Sequence, residues 1–320
     1  MSAFEPFEAF GDLDEIAERL SSPDPSVRRL AVMDLVETSS AQAVPLLSKA
    51  VRDDVHLVRL QAARALGEFD GLEVANALAG VLSDSDAEVA QAAAASLAEL
   101  RDPGASAALL PLVTNSSSFV RAAAFRALKA LQVQSSLAPA TAALDDKDAN
   151  VRVQAVGVIG YLKLLDTLPS LTRATRDECF DVRLAAVNAL SFARDEAAAR
   201  AAAEALADPE WQVRAAAAET VGRVGQRSAA GALIAALGDS YWQVRQKALQ
   251  SLGKLAIAEA VTSIVPFLGD LLPSLRKDAA AALGEIGDPR ARDALAARAH
   301  DEDPDVRKTV NWALGRLVTP

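Results

Sequence analysis

Apolar positions fall into a 31-residue register that runs the length of the chain. A Val-Arg pair recurs at Val27-Arg28, Val58-Arg59, Val120-Arg121, Val151-Arg152, Val182-Arg183, Val213-Arg214, Val244-Arg245 and Val306-Arg307. Val89-Ala90 and Leu275-Arg276 fill the two gaps in phase. With the valine counted as position zero, position four is alanine in nine repeats, from Ala31 through Ala155 to Ala279. Position eight is aliphatic from Leu35 to Leu314, and position eleven is usually apolar. Spacings of four, four and three trace one face of an α-helix. Asp24-Pro25 and Asp303-Pro304 place a capping acid before a proline at the first turn.

A second apolar set follows at positions seventeen, twenty and twenty-four, as in Val44, Leu47 and Val51, and predicts a second helix of about ten residues. Position twenty-six is acidic at Asp53, Asp84, Asp146, Asp177, Asp208, Asp239, Asp270 and Asp301, with Asn115 once. Each unit reads as a helix hairpin, which cannot bury its apolar face alone and so stacks on its neighbours. Leu13, Ile16 and Leu20 stand in second-helix phase and predict a half repeat at the start. The expectation is an all-α fold, a right-handed α-solenoid of antiparallel helix hairpins. Residues 1–11 form an extension, and residues 12–320 hold a half repeat, nine full repeats and a final half. Phe4, Phe7 and Phe10 are expected to fold over the open end of the stack, since a terminal repeat needs a cap.

Composition narrows the function classes. Hydrophobic residues make up 51% of the 320 but aromatics only 4%, so the core must be built from small side chains between closely packed helices. A net charge of −10 and a pI near 4.9 argue against nucleic acid or an anionic membrane as the partner. No run reaches the ~18 apolar residues of a membrane span, and the acidic start lacks the pattern of a secretory signal. Cys179 is the single cysteine, which fits a reducing cytoplasm. His56 and His300 supply too few ligands for an ordinary zinc site, so neither a metal nor a resident cofactor is expected.

The pattern D-x-x-V-R-x-x-A-x-x-x-L-G is almost complete from Asp303 to Gly315, apart from Val310 at the alanine position. It resembles the HEAT-like repeats of phycobilisome bilin lyases. That resemblance implies that the Val-Arg helices line a concave wall, and that each arginine joins a ladder with the loop acids. Ala90 interrupts the series, so the ladder is expected to be weakest there. The repeat type serves chromophore lyases, cofactor-assembly helpers and binding scaffolds alike. The related di-iron hydroxylases are marked by His-Glu pairs, which this chain lacks.

Motifs for catalysis are few. The glycines at position nine, among them Gly67, Gly160, Gly222, Gly253 and Gly284, read as close-packing positions between hairpins. Cys179 stands at a helix N-terminus, where the dipole favours a thiolate, although an ordinary cap thiol explains it as well. The first-helix positions that face the groove are more informative. From the fourth repeat on they carry Phe119, Arg126, Tyr161, Phe180, Asn188, Phe192, Trp211, Glu219, Arg223, Trp242, Lys247 and Lys254. Aromatic and Arg side chains are those that binding hot spots favour. Trp211, Trp242 and Tyr241 also suit a second role, as staples between hairpins, and Trp312 suits an end cap. These groove positions hold nine bases against nine acids, so the surface is neutral in a chain that is strongly acidic.

The leading expectation is a non-catalytic scaffold or assembly helper that holds a client protein in the groove, through an amphipathic or acidic segment. Two alternatives stand beside it. One is a bilin lyase subunit that handles a tetrapyrrole, with bilin as its ligand. The other is a helper in iron–sulfur or other metal-cofactor assembly.

Overall fold

The computed structural model describes residues 13–38 and 40–317, and the three N-terminal phenylalanines lie outside them. The chain divides into two compact units, Met1–Leu162 and Lys163–Pro320. All regular structure among the described residues is helical.

In the first unit the first helices of successive repeats are Pro25–Glu37, His56–Leu66, Ala87–Leu97, Ser118–Leu131 and Ala149–Leu162. Leu13–Arg19 precedes them as the half repeat, with Ile16 buried. In the second unit they are Phe180–Ala189, Trp211–Val224, Trp242–Lys254, Pro273–Ile286 and Pro304–Arg316. The register explains the core. Ala31, Ala62, Ala93 and Ala124 are fully buried in the first unit, as are Ala186, Ala217, Ala248 and Ala279 in the second. Position zero is buried from Val58 to Val306, and position eight from Leu35 to Leu283. Asp24 and Asp303 cap their helices as expected, accepting from the N–H groups of Ser26 and of Asp305 and Val306.

The second helices are shorter than their apolar spacing predicts. Ser106–Leu109 and Val261–Ile264 hold four residues each before the chain tightens into 3₁₀ turns at Leu110–Thr114 and Val265–Gly269. Pro111 and Pro266 stand at the start of those turns, where an absent N–H breaks the α-helical pattern.

Two interlocks repeat between neighbouring first helices. A hydroxyl at position seven donates to the position-five carbonyl of the preceding repeat: Ser96 to Ala63 at 2.9 Å, Thr220 to Val187 at 3.2 Å and Ser251 to Ala218 at 2.7 Å. Opposite Ser96 and Ser251 stand the position-nine glycines Gly67 and Gly222. A Cβ on Gly222 would lie 2.3 Å from Ser251 Oγ, so the close approach demands glycine there.

The arginine series forms the expected ladder. In at least six repeats the guanidinium Nε and Nη2 donate to the aspartate 25 residues on: Arg28 to Asp53, Arg59 to Asp84, Arg121 to Asp146, Arg183 to Asp208, Arg214 to Asp239 and Arg276 to Asp301, all within 3.0 Å. Nη1 donates to the carbonyl of the preceding loop acid, as from Arg59 to Asp53 and from Arg214 to Asp208. Each rung therefore ties two successive loops. The same aspartates fold their own loops, since Oδ1 accepts the N–H two residues on in Asp53, Asp84, Asp208 and Asp239. Ala90 breaks the ladder as expected, and the structure adds a second open step. Arg245 donates Nη1 to the carbonyls of Asp239 and Ser240, but its Nε and Nη2 meet no carboxylate among the described residues. Among those residues the Asp270 carboxylate keeps the loop bond alone, accepting the N–H of Leu272.

Candidate binding surface

The first helices of the second unit begin with an aromatic residue three times in succession. Phe180 and Trp242 are 39% and 41% exposed, whereas Trp211 is half-buried. Each stands in the first turn of its helix, because the loop aspartate's turn has just ended and the next apolar anchor lies two residues on. The two tryptophans do not form a ladder with one another. The indole of Trp211 stacks on the ring of Tyr241, with centroids 5.5 Å apart and planes at 14°, and it also packs on the core. The Arg214 guanidinium lies 5.6 Å from the centroid of the same Tyr241 ring. This is the stapling geometry: Trp211 reaches the next repeat through Tyr241, which leaves Trp242 and Phe180 as the exposed aromatics of the row.

Three of the charged residues singled out from the sequence meet at one point. Glu219 accepts from Arg223 one turn along the same helix and from Lys247 of the next helix, the latter at 2.7 Å. The Lys247 hydrogen bond holds the Glu219 carboxyl below its ordinary range, against the opposing effect of burial. Arg223 and Lys247 are thus already partnered. Asn188 and Lys254 are exposed and Phe192 is half-buried. Lys254 acts with Arg316 on Glu285, whose carboxyl is pushed up by burial and pulled down by the two bases, burial winning.

Two features of this surface were not singled out from the sequence. Asp278 is buried and accepts from the Gln246 and Gln250 side chains of the preceding helix, at 2.7 and 3.2 Å. The pairing of glutamines at i and i+4 is its only sequence trace. Leu271 is 94% exposed, beside Leu272, in the loop that follows the Trp242–Lys254 repeat. Trp312 lies across Gly284 of the preceding repeat, with Arg316 5.5 Å from its ring centroid.

In the first unit Phe119, Arg126 and Tyr161 are exposed, and Lys129 Nζ lies 5.8 Å from the Tyr161 ring centroid. Earlier in this unit a cleft of about 600 Å³ opens between the His56–Leu66 and Ala87–Leu97 helices, lined by Arg64, Glu68, Glu88 and Glu99. Cys179 is the N-cap residue of Phe180–Ala189 and its side chain makes no cap hydrogen bond. Among the described residues no group of three or more His, Cys, Asp or Glu is placed to hold a metal ion, and no helix is long and apolar enough to cross a membrane.

Solved structures with a similar fold include an engineered protein, at 20% identity and a TM-score of 0.54, covering 96% of this chain and 99% of that one. Importin beta matches at 17% identity and a TM-score of 0.65, over 96% of this chain and 50% of its own. A Kap95:Nup1 complex matches at 14% and 0.64, over 95% and 50%. The chain thus spans half the length of those two, and at such identities the likeness shows the fold alone. No curated protein matches the chain. The family model for HEAT repeats matches residues 13–85, 74–152, 137–210, 199–270 and 261–320. With successive matches that leave only residues 1–12 uncovered, the chain belongs to the HEAT-repeat family.

Proposed function

We propose that the chain is a protein-binding scaffold without chemistry of its own, and that its client docks on the first-helix face of the second unit. The observation that carries this reading is the exposure of Phe180 and Trp242 at the same position of a stack that otherwise spends its few aromatics sparingly. Large apolar side chains held at fixed positions on rigid helices lose little freedom on binding, which is why such residues dominate interfaces. Because Glu219 already holds Arg223 and Lys247, apolar contact supplies the affinity, and Lys254 supplies charge toward an acidic flank of the client. Importin beta and the Kap95 chain of the Kap95:Nup1 complex share the fold, and the latter is held in a complex with Nup1. Their likeness supports the class of function, not the client.

The test is direct. The partner that co-purifies with the tagged chain is isolated, and its Kd is measured against wild type and against Phe180→Ala/Trp242→Ala. The expected loss is at least about tenfold with little change in melting temperature. An unchanged Kd rejects this surface. Mixing the purified chain with a free bilin separates the tetrapyrrole reading. No shift of the visible absorption band is expected, and a shifted band that Trp242→Ala abolishes contradicts the scaffold.

A further inference from the structure

The second open step of the ladder lies beside Leu271, the most exposed large apolar side chain among the described residues. Leu271 and Leu272 occupy the loop after Asp270, and Tyr241 and Trp242 occupy the equivalent loop and first turn one repeat earlier. All four are exposed, so the loop edge of these two repeats carries four large apolar side chains at neighbouring repeat positions. Arg245 stands one turn after Trp242 in the same helix. Its Nη1 is bound to the loop of Tyr241, while the two nitrogens that grip a carboxylate in at least six other repeats hold none among the described residues. Lys277, in the first turn after Leu272, is exposed. This edge therefore combines large apolar side chains with an unfilled bidentate carboxylate site, the geometry in which arginine binds most strongly.

The chain contains one segment of matching chemistry outside the described residues. Residues 1–12, MSAFEPFEAFGD, carry Phe4, Phe7 and Phe10 with Glu5, Glu8 and Asp12 and no base. Three of the nine phenylalanines are thus concentrated beside three carboxylates. Twelve residues reach up to ~40 Å when extended, and two packed helix spacings amount to ~20 Å, so the segment is long enough to cover this edge.

We propose that residues 1–12 of a second copy of this chain dock on the Tyr241–Trp242–Leu271–Leu272 edge, with a glutamate of the segment gripped by Arg245. The phenylalanines lie on these apolar side chains, and the remaining carboxylates face Lys277. The inference stands independently of the client proposed above but shares Trp242 with it, so the segment and the client compete for this edge.

A fluorescently labelled peptide of residues 1–12 is titrated with the full-length chain and followed by anisotropy, and self-association of the chain is followed by sedimentation velocity. Binding is expected, weakened at least about tenfold by Arg245→Glu and by Leu271→Ser/Leu272→Ser, and weakened by added salt. A peptide with Glu5 and Glu8 changed to Lys is expected to regain affinity for Arg245→Glu, a rescue that a merely destabilised fold would not give. Self-association is expected to fall in the same variants. No binding at about 1 mM chain, equal binding by wild type and both variants, or absence of the charge-swap rescue each overturns the proposal. Failure here leaves the client reading intact, since that is measured with a different ligand and with Phe180→Ala as well.

Discussion

Asn115 is the one loop position of its series without a carboxylate, and Ala90 is the one first helix without the arginine that would reach it. The two changes belong together. A lone arginine at position 90 would face no acid, and a lone aspartate at 115 would be left half-buried, the costly half of a broken pair. Asn115 keeps the other duty of the position, since its Oδ1 still accepts the N–H of Ser117 at 2.9 Å. Ala90→Arg/Asn115→Asp is therefore expected to exceed the sum of its single variants by about 1 kcal/mol in a double-mutant cycle read by denaturant unfolding. Additive singles would show that this rung contributes nothing. A second residue-scale strain is visible at position twelve, where the chain turns left-handed after the first helix. Gly225 and Gly287 meet that need, but Ala256 adopts φ 50° at the same position. Ala256→Gly is expected to raise stability by about 0.5–1 kcal/mol, because relief of the Cβ clash exceeds the entropy that glycine adds to the unfolded chain. A lowered melting temperature would contradict this.

At the scale of the elements, the ladder makes stability depend on pH with a definite sign. The arginine hydrogen bonds hold the carboxyls of Asp84, Asp146, Asp239 and Asp301 below their ordinary range, against the opposing effect of burial. Acids with depressed folded pKa values contribute stability that is complete above the unfolded value near ~3.9 and is lost as pH falls through the folded value. Urea midpoints are therefore expected to hold from neutral pH to about pH 5 and to fall steeply below about pH 4, more steeply in wild type than in Arg276→Ala/Asp301→Asn. Parallel profiles would remove the ladder from the account. The elements also mark what was legible in the sequence. The helix hairpins, their buried faces and the Arg–Asp pairing follow from a register that places the same chemistry every 31 residues. The second helices Ser106–Leu109 and Val261–Ile264 are shorter than their apolar spacing suggests, because spacing records burial while Pro111 and Pro266 decide hydrogen bonding. The Gly222–Ser251 contact confirms close packing at position nine. The hydroxyls that accompany it stood in the sequence unnoticed, as Ser96, Thr220 and Ser251 at one offset.

Over the whole molecule, the candidate surface was legible only in part, for a physical reason. A shared offset places Phe180, Trp211 and Trp242 on one face but does not fix their rotamers, and Tyr241 captures Trp211 while Trp242 remains exposed. Nor does an offset reveal that Glu219 gathers Arg223 and Lys247, since that depends on reach across two helices. The repeat register itself makes a prediction at this scale. Deleting residues 213–243, one full period within the second unit, is expected to leave a helical, cooperatively melting chain, because each hairpin needs only its neighbours. Deleting half that length there should destroy the local helices, because the phase is lost. Circular dichroism and limited proteolysis distinguish the two, and equal aggregation of both would refute the register.

The central claim, that the second unit binds its client through the first-helix face, is tested most directly by hydrogen–deuterium exchange with and without the purified client. The account predicts added protection in peptides that cover the starts of Phe180–Ala189 and Trp242–Lys254, with little change in Glu196–Glu204 and Ala230–Ala236 on the second-helix side. Protection confined to those second helices, with none at Phe180 or Trp242, would contradict it.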